Sequence, residues 1–395
     1  MKKIILVANF VGDFNGESNN RFNYIFNLLN KNDNYKVELV TSDFSHNKKE
    51  KRQINTSDND VTFIHEPSYK KNVSLKRLYS HWVFGNNVYK YIKKQKFDVL
   101  YLGVPSLQMP YKLIKKYKKR DVLILTDIQD LWPEAFLMIN RNLFIKKILL
   151  APLRYKADFI YKYSNFNIAV SKTYLSRALS TNKNNKGEVI YLGTSLERFD
   201  HFASYEPVIQ KHNGEMFIAY AGTLGHSYDI KTMIDAFLLI ENDEKKIKLL
   251  IMGDGPLESV FKEHAGNNTC IIFTGRLPYA NMVSQLIISD IAVNTISQGA
   301  AQSIINKHAD YAAAGLPVIN NQENNEYHEL ISDYECGINC KNNNIQDLHE
   351  AMLTLIKNKE LRIKYGLNSR RLAEEIFNRD VTYRRIPEII LELER

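Results

Sequence analysis

Cysteine is scarce: the 395-residue chain has three, Cys270, Cys336 and Cys340. So few, and an odd number, exclude a disulfide-framed secreted domain and fit a reduced, cytosolic protein. Cys336 and Cys340 lack a second ligand pair or a nearby histidine cluster, which argues against structural zinc. No uninterrupted apolar run reaches the ~18 residues of a membrane-spanning helix. The opening MKKIILVANF imitates a signal peptide, but its apolar run is only Ile4–Ala8 and no small-residue cleavage site follows. It reads as a first buried strand. There is no GxGxxG dinucleotide fingerprint, and no helix-turn-helix, RRM, KH or zinc signature for nucleic acid.

What is present is a soluble globular composition, 44% hydrophobic and 25% charged, at a length that predicts two domains. The net charge of +9 is unevenly spread. Residues 1–200 carry 34 Lys+Arg against 18 Asp+Glu, or +16, and residues 201–395 carry 19 against 26, or −7. A basic half joined to an acidic half implies two domains with different partners, and the basic one suits an anionic membrane or nucleic acid.

In the first half, short apolar strands at Ile4–Ala8, Val37–Thr41, Val61–His65, Val99–Leu102, Val122–Leu125 and Asn167–Val170 alternate with helical spacing, as in Arg21–Leu29, Leu75–Lys94 and Tyr111–Lys119. This alternation predicts a mostly parallel, doubly wound α/β sheet, with ligands beyond the carboxyl ends of its strands. The first strand leads into the glycine-bearing loop Phe10–Asn20, with Gly12, Asn15 and Gly16. The fifth ends in Thr126-Asp127-Ile128-Gln129-Asp130-Leu131-Trp132-Pro133-Glu134, which crowds polar groups at the sheet edge. The same residues also spell a helix start, with Asp130 as N-cap and Pro133 and Glu134 in the first turn. Two basic amphipathic segments, Tyr69–Tyr79 and Arg141–Lys162, are suited to lie on an anionic membrane, or else form solvated helix faces.

Polar residues around Thr194–Gly214 read as the linker. A second strand–loop–helix series follows: Phe217–Ala221 into Gly222-Thr223-Leu224-Gly225 and a helix over Thr232–Ile240, and Lys248–Met252 into Gly253-Asp254-Gly255-Pro256. Ile271–Thr274 leads into Gly275-Arg276-Leu277-Pro278-Tyr279, and Ile291–Thr295 into Gln302–Asn320. Glycines and polar loops at successive strand ends predict a second doubly wound domain with a nucleotide-sized ligand at its edge. In Gln302–Asn320 a short helix begins near Asn306, Lys307 and Asp310, stops at Gly315 and feeds a buried strand. A lysine beside free helix N–H groups suits a phosphate, and a carboxylate one turn on suits a sugar diol. The remainder predicts helices over Gln346–Lys357, Glu360–Ile376 and Tyr383–Leu393.

GTLG, MGDGPLE, FTGRLPY and NKHADYAAAGLPVI, in that order, resemble the retaining family 4 glycosyltransferases of the GT-B fold, and DIQDLWPE resembles their capsule and O-antigen branch. The resemblance implies two Rossmann-like domains facing across a cleft. They would comprise residues 1–200 on the acceptor side, 201–376 for the nucleotide sugar, and a final segment, 377–395, returning to the first domain. It implies an enzyme moving a sugar from a nucleotide-diphosphate donor, UDP-linked by expectation, to a lipid-diphosphate-linked glycan. The enzyme would be cytoplasmic and peripheral on the inner face of the plasma membrane, bound through 69–79 and 141–162, with no cofactor, metal or nucleic acid. Gly222, Thr223, Gly225, Gly253, Gly255, Arg276, Leu277, Gln302, Asn306, Lys307 and Asp310 would hold the donor. Gly12, Asn15, Gly16 and Trp132 would lie on the acceptor side. Lys307, Gln129, Asp130 and Asp127 would serve the reaction. Against the family pattern, Gln302 and Asp310 replace two glutamates, Thr223 and Tyr228 replace the usual arginine and lysine, and Gln129 stands where many relatives have histidine. Two rival readings share this architecture: a nucleotide-sugar 2-epimerase and a non-catalytic nucleotide-sugar-binding protein.

Overall fold

The computed structural model describes residues 1–12, 20–53, 60–72, 74–137, 143–182, 184, 186–241, 246–300 and 303–393. Asn15, Gly16 and Gln302 lie outside the described residues. The chain forms two compact units, the first of residues 1–190 with 383–395, the second of residues 191–382.

Unit 1 contains β1 (Lys2–Ala8), α1 (Arg21–Asn30), β2 (Tyr35–Ser42), the two-residue strands β3 (Phe44–Ser45) and β4 (Glu50–Lys51), β5 (Val61–Ile64) and α2 (Leu75–Ile92). It continues with β6 (Val99–Val104), α3 (Gln108–Tyr117), β7 (Leu123–Ile128), α4 (Glu134–Leu137), α5 (Leu143–Tyr163), β8 (Phe166–Ala169), α6 (Lys172–Leu179) and β9 (Gly187–Val189). The main sheet runs β5-β2-β1-β6-β7-β8-β9 with every pair parallel. Ile4 to Ala8 are all fully buried. A strand covered by helices on both faces has to be apolar throughout, which is why the sequence shows runs here and not alternation.

Unit 2 repeats the plan with β10 (Met216–Ala221), β11 (Ile247–Met252), β12 (Ile271–Gly275), β13 (Ile291–Asn294), β14 (Val318–Asn320) and β15 (Gly337–Asn339). Its order, β12-β11-β10-β13-β14-β15, is again all parallel. Both sheets reverse direction beside their first strand, between β1 and β6 and between β10 and β13. That is the switch point where doubly wound folds bind ligands.

The predicted linker is mostly something else. Leu196–Ala203 is a helix, N-capped by Ser195, and its Leu196 and Phe199 are buried among Ala219, Ala221 and Leu286 of unit 2. The first boundary therefore falls at 190/191 and not at 200/201, and the second at 382/383 and not at 376/377. The helix Arg385–Leu393 belongs to the first unit. Tyr383, Ile386, Ile389 and Ile390 are buried against Ile4, Leu6, Val37 and Ile168. Each such isoleucine contributes about 1.5–3 kcal/mol of burial.

Candidate active site

The switch point of unit 2 is closed by loops that interlock through their backbones. Gly222 N–H donates to Met252 O, Leu224 N–H to Asp254 O, and Gly253 N–H to Gly275 O. A Cβ on Gly253 would stand 1.8 Å from Gly222 O, and one on Gly255 2.3 Å from Leu224 O, so only glycine permits this approach. Ser297 N–H donates to Ser227 O, tying the loop after β13 to the loop after β10. Gly225 is buried in this weave, whereas Thr223, Arg276 and Asn306 are exposed and Leu277 is half-buried.

Lys307 lies in the first turn of the helix Asn306–Ala313, which follows β13. It is 7% exposed, and its Nζ has no hydrogen-bond partner among the described residues. The ammonium sits between two tyrosine rings, 4.3 Å from the centre of Tyr220 and 4.6 Å from that of Tyr228. Tyr228 occupies the position of the expected lysine, so one cation is replaced by an aromatic wall around another. Burial holds the Lys307 amine well below the ordinary lysine range, since no carboxylate offsets the lost hydration. A buried lysine amine without a counter-ion among the described residues, at a helix start on a switch point, fits a phosphate group.

Asp310, one turn on, is buried. Its Oδ1 accepts from Tyr279 Oη at 2.7 Å, and Tyr279 Oη lies 2.8 Å from Thr194 Oγ1. Burial raises its carboxyl to about 6, although the Tyr279 hydroxyl and the Arg379 charge pull the other way. Asp310 is thus held from within unit 2, and reading it as a ribose ligand requires it to share that carboxylate.

In unit 1 the structure corrects two sequence expectations. Asp127 is fully buried and paired with Arg21, whose Nε donates to Oδ2 at 2.8 Å; Tyr101 Oη donates to the same oxygen at 2.6 Å. Arg21 Nη1 also donates to Tyr383 Oη at 2.8 Å and to Ile190 O at 2.9 Å. Asp127 therefore fastens the returning C-terminal segment and is not available to an acceptor. Asp130 is not a helix cap, because α4 starts at Glu134; it accepts from Trp132 Nε1 at 3.2 Å instead. Gln129 is half-buried, with its Nε2 unpartnered among the described residues. The Gly12 carbonyl accepts from Arg52 Nη1 at 3.2 Å, and Trp132 is buried. Within segment 69–79, Lys70, Lys71 and Lys76 are exposed, but Tyr69 and Arg77 point inward. In segment 141–162, Arg154 and Lys162 are exposed, and the side chains of Lys146 and Lys147 lie outside the described residues.

Residues 203–372 match the family model of the group 1 glycosyl transferases. The chain is a glycosyltransferase. An uncharacterized glycosyltransferase of Methanocaldococcus jannaschii is 22% identical to it over 363 residues, covering 80% of this chain and 90% of that protein. Among solved structures, sucrose-phosphate synthase from Thermosynechococcus elongatus superposes with a TM-score of 0.75 at 14% identity, covering 100% of this chain and 99% of that one. HepE from Anabaena, in complex with UDP, gives 0.69 at 12% identity, covering 99% of this chain and 100% of that one. These likenesses give the glycosyltransferase its GT-B fold of two Rossmann-like domains.

Sequence reasoning missed one feature of the site entirely. Asn294, Asn320 and Asn339 end three adjacent strands in register. Asn294 Nδ2 donates to Asn320 Oδ1 at 2.7 Å, and Asn320 Nδ2 to Asn339 Oδ1 at 2.9 Å. The signal was present as asparagine closing each of three short apolar runs, AVN, VIN and GIN. The tyrosines around Lys307 left no comparable trace, since Tyr220 reads as one more residue of a buried strand.

Proposed function

We propose that the enzyme transfers a sugar from a UDP-linked donor, with retention, to a lipid-diphosphate-linked glycan at the inner membrane face, in the assembly of a bacterial surface polysaccharide such as capsule or O-antigen. The observation that carries the donor half is Lys307, a buried lysine with no anion beside it among the described residues at the switch point of unit 2. The UDP complex of HepE supports the choice of nucleotide. As the glycosidic C–O bond breaks, the electron pair goes to the departing diphosphate, which Lys307 and helix N–H groups stabilise. The acceptor oxygen bonds the anomeric carbon on the same face and gives its proton to that diphosphate, so no dedicated base is required. A thermal-shift screen over nucleotide sugars tests this reading, because a ligand that binds the folded state stabilises it. UDP-sugars should raise the melting temperature, and a panel without effect would refute the donor assignment. Incubation with UDP-GlcNAc alone separates the 2-epimerase, which needs no acceptor, and donor binding without transfer or hydrolysis would reveal a non-catalytic binder.

Donor binding should also take up a proton. A bound diphosphate favours the Lys307 ammonium, whereas the empty site disfavours it. Affinity for UDP therefore falls as pH rises from the depressed titration of the free amine towards the ordinary lysine range. Calorimetry in buffers of different ionisation enthalpy should detect that uptake in wild type and not in Lys307→Ala.

The membrane half rests on exposed apolar side chains set among lysines. Leu75, Leu78, Tyr79 and Trp82 line one face of α2, with Leu75 83% and Trp82 52% exposed. Ile148, Leu149 and Tyr155 are exposed on α5, and both helices pack against α3. A pocket of about 340 Å³ on unit 1 offers Arg154 and Lys162 to an anionic headgroup, while Arg177 in its wall is paired with Asp158 and Glu134. A Leu75→Glu/Trp82→Glu variant should bind phosphatidylglycerol vesicles roughly tenfold or more weakly in co-sedimentation, given about 1.5–3 kcal/mol per inserted apolar side chain. Unchanged binding would place the contact elsewhere.

A further inference from the structure

The buried face of α2 holds a second cation that the donor site does not explain. Arg77 is 8% exposed and makes no ion pair among the described residues. Its Nη1 donates to Asn72 O at 2.7 Å and the guanidinium also hydrogen-bonds Tyr69, but Nε is buried without a partner among the described residues. Aromatic faces enclose the guanidinium: Trp132 at 4.5 Å, Phe10 at 5.5 Å and Tyr69 at 5.8 Å from ring centre to Cζ. His81, one turn along, stacks on Trp132, and its Nε2 is also buried without a hydrogen-bond partner among the described residues, 3.9 Å from Glu66 Oε1. Lys49 Nζ stands 4.9 Å from the Tyr69 ring centre and 3.4 Å from His46 Nδ1. Burial, and then the charge of Arg77, lower the Lys49 amine to about 8 and the His46 imidazole to about 3.

The charges of Asp130 and Glu66 act on Arg77, but burial outweighs them, and neither carboxylate forms an ion pair with it among the described residues. Glu66 accepts from Asn9 Nδ2 at 3.1 Å and from Ser80 Oγ at 2.8 Å, and Asp130 accepts from Trp132. A buried guanidinium with no anion in contact among the described residues is costly unless one arrives. We infer that Arg77, with Lys49 and the aromatic walls of Phe10, Tyr69 and Trp132, forms a second anion site, in unit 1, that takes the diphosphate of the acceptor. The inference rests on the reading of unit 1 as the acceptor side. An arginine fork beside a lysine suits a multiply charged oxyanion, and the rings suit the group attached to it. The exposed apolar face of the same helix carries Leu75, Leu78, Tyr79 and Trp82. One helix would thus meet a membrane on one side and a lipid-borne diphosphate on the other.

Inorganic pyrophosphate is the probe, used on Lys307→Ala so that the donor site does not compete. Pyrophosphate should raise the melting temperature of Lys307→Ala, and the rise should shrink at least ~tenfold in apparent affinity in Lys307→Ala/Arg77→Gln. In ¹⁵N-arginine-labelled Lys307→Ala, the Nε–Hε resonance of Arg77, identified by its loss in Arg77→Lys, should shift on titration; this arm holds even if Arg77→Gln fails to fold. Equal stabilisation of both variants, or of neither with an unmoved resonance, overturns the inference. Farnesyl diphosphate should move the same resonance, and a response to phosphatidylglycerol vesicles alone would make this a headgroup site and overturn it too. Persistence of the UDP-sugar shift in Arg77→Gln keeps the donor reading separate, and its absence from wild type sinks that reading alone.

Discussion

Replacing Lys307 with methionine should yield a protein that is more stable when empty and nearly inactive. The side chain is buried between Tyr220 and Tyr228 with no anion beside it among the described residues. Such a group either keeps an uncompensated charge or stays neutral against its own chemistry, and both cost stability. Methionine fills a similar volume without that penalty, and a gain of about 1–3 kcal/mol is expected, seen as a higher urea midpoint. On the proposed donor reading, the same cation would face the charge that develops on the leaving diphosphate. Removing one preorganised electrostatic contact of this kind typically costs about 10²–10³ in turnover. Stability rising while transfer collapses would mark a residue kept for function. If transfer and the UDP-induced thermal shift both survive Lys307→Met, the phosphate assignment is wrong.

Asp127→Ala should destabilise unit 1 by about 3–5 kcal/mol, the usual cost of stripping one partner from a buried ion pair. Arg21 would keep Tyr383 Oη and Ile190 O but lose its counter-charge, and Tyr101 Oη would lose its acceptor. Replacing both charges, as in Arg21→Met/Asp127→Leu, should recover much of the loss, because no lone charge then remains buried. Urea denaturation of wild type, Arg21→Met, Asp127→Leu and Arg21→Met/Asp127→Leu measures the coupling. A loss below 1 kcal/mol for Asp127→Ala would show that the pair is not structural, and would return Asp127 to the acceptor side.

How well the sequence reported these features follows from their physics. Strands covered on both faces are continuous apolar runs, so β1, β6 and β10 stand out, as do the glycines that permit loops to cross at Gly253 and Gly255. Lys307 could be placed at its helix start by spacing, but its burial could not, since the two tyrosines come from β10 and the loop after it. Asp127 and Asp130 looked alike as acids at a strand end. Tertiary partners separate them: Arg21 lies 106 positions away from Asp127, whereas Asp130 is held by its near neighbour Trp132. Arg77 was grouped with its exposed lysine neighbours because charge counting along a segment ignores the helical period that turns it inward. The Leu196–Ala203 helix was hidden because one short turn of apolar contacts, Leu196 and Phe199, is all that it buries deeply.

The return of residues 383–393 to the first unit bears on the order in which the protein can be made. On the ribosome, α/β units ordinarily complete as they emerge, the amino-terminal one first. Here the amino-terminal unit lacks Tyr383, Ile386, Ile389 and Ile390 until all of residues 191–382 have been synthesised. Until then Arg21 has no Tyr383 hydroxyl to meet, and the apolar surface of β1 and β2 that those isoleucines cover stays open to water or to chaperones. The second unit, contiguous in sequence, has no such wait and can close before the first.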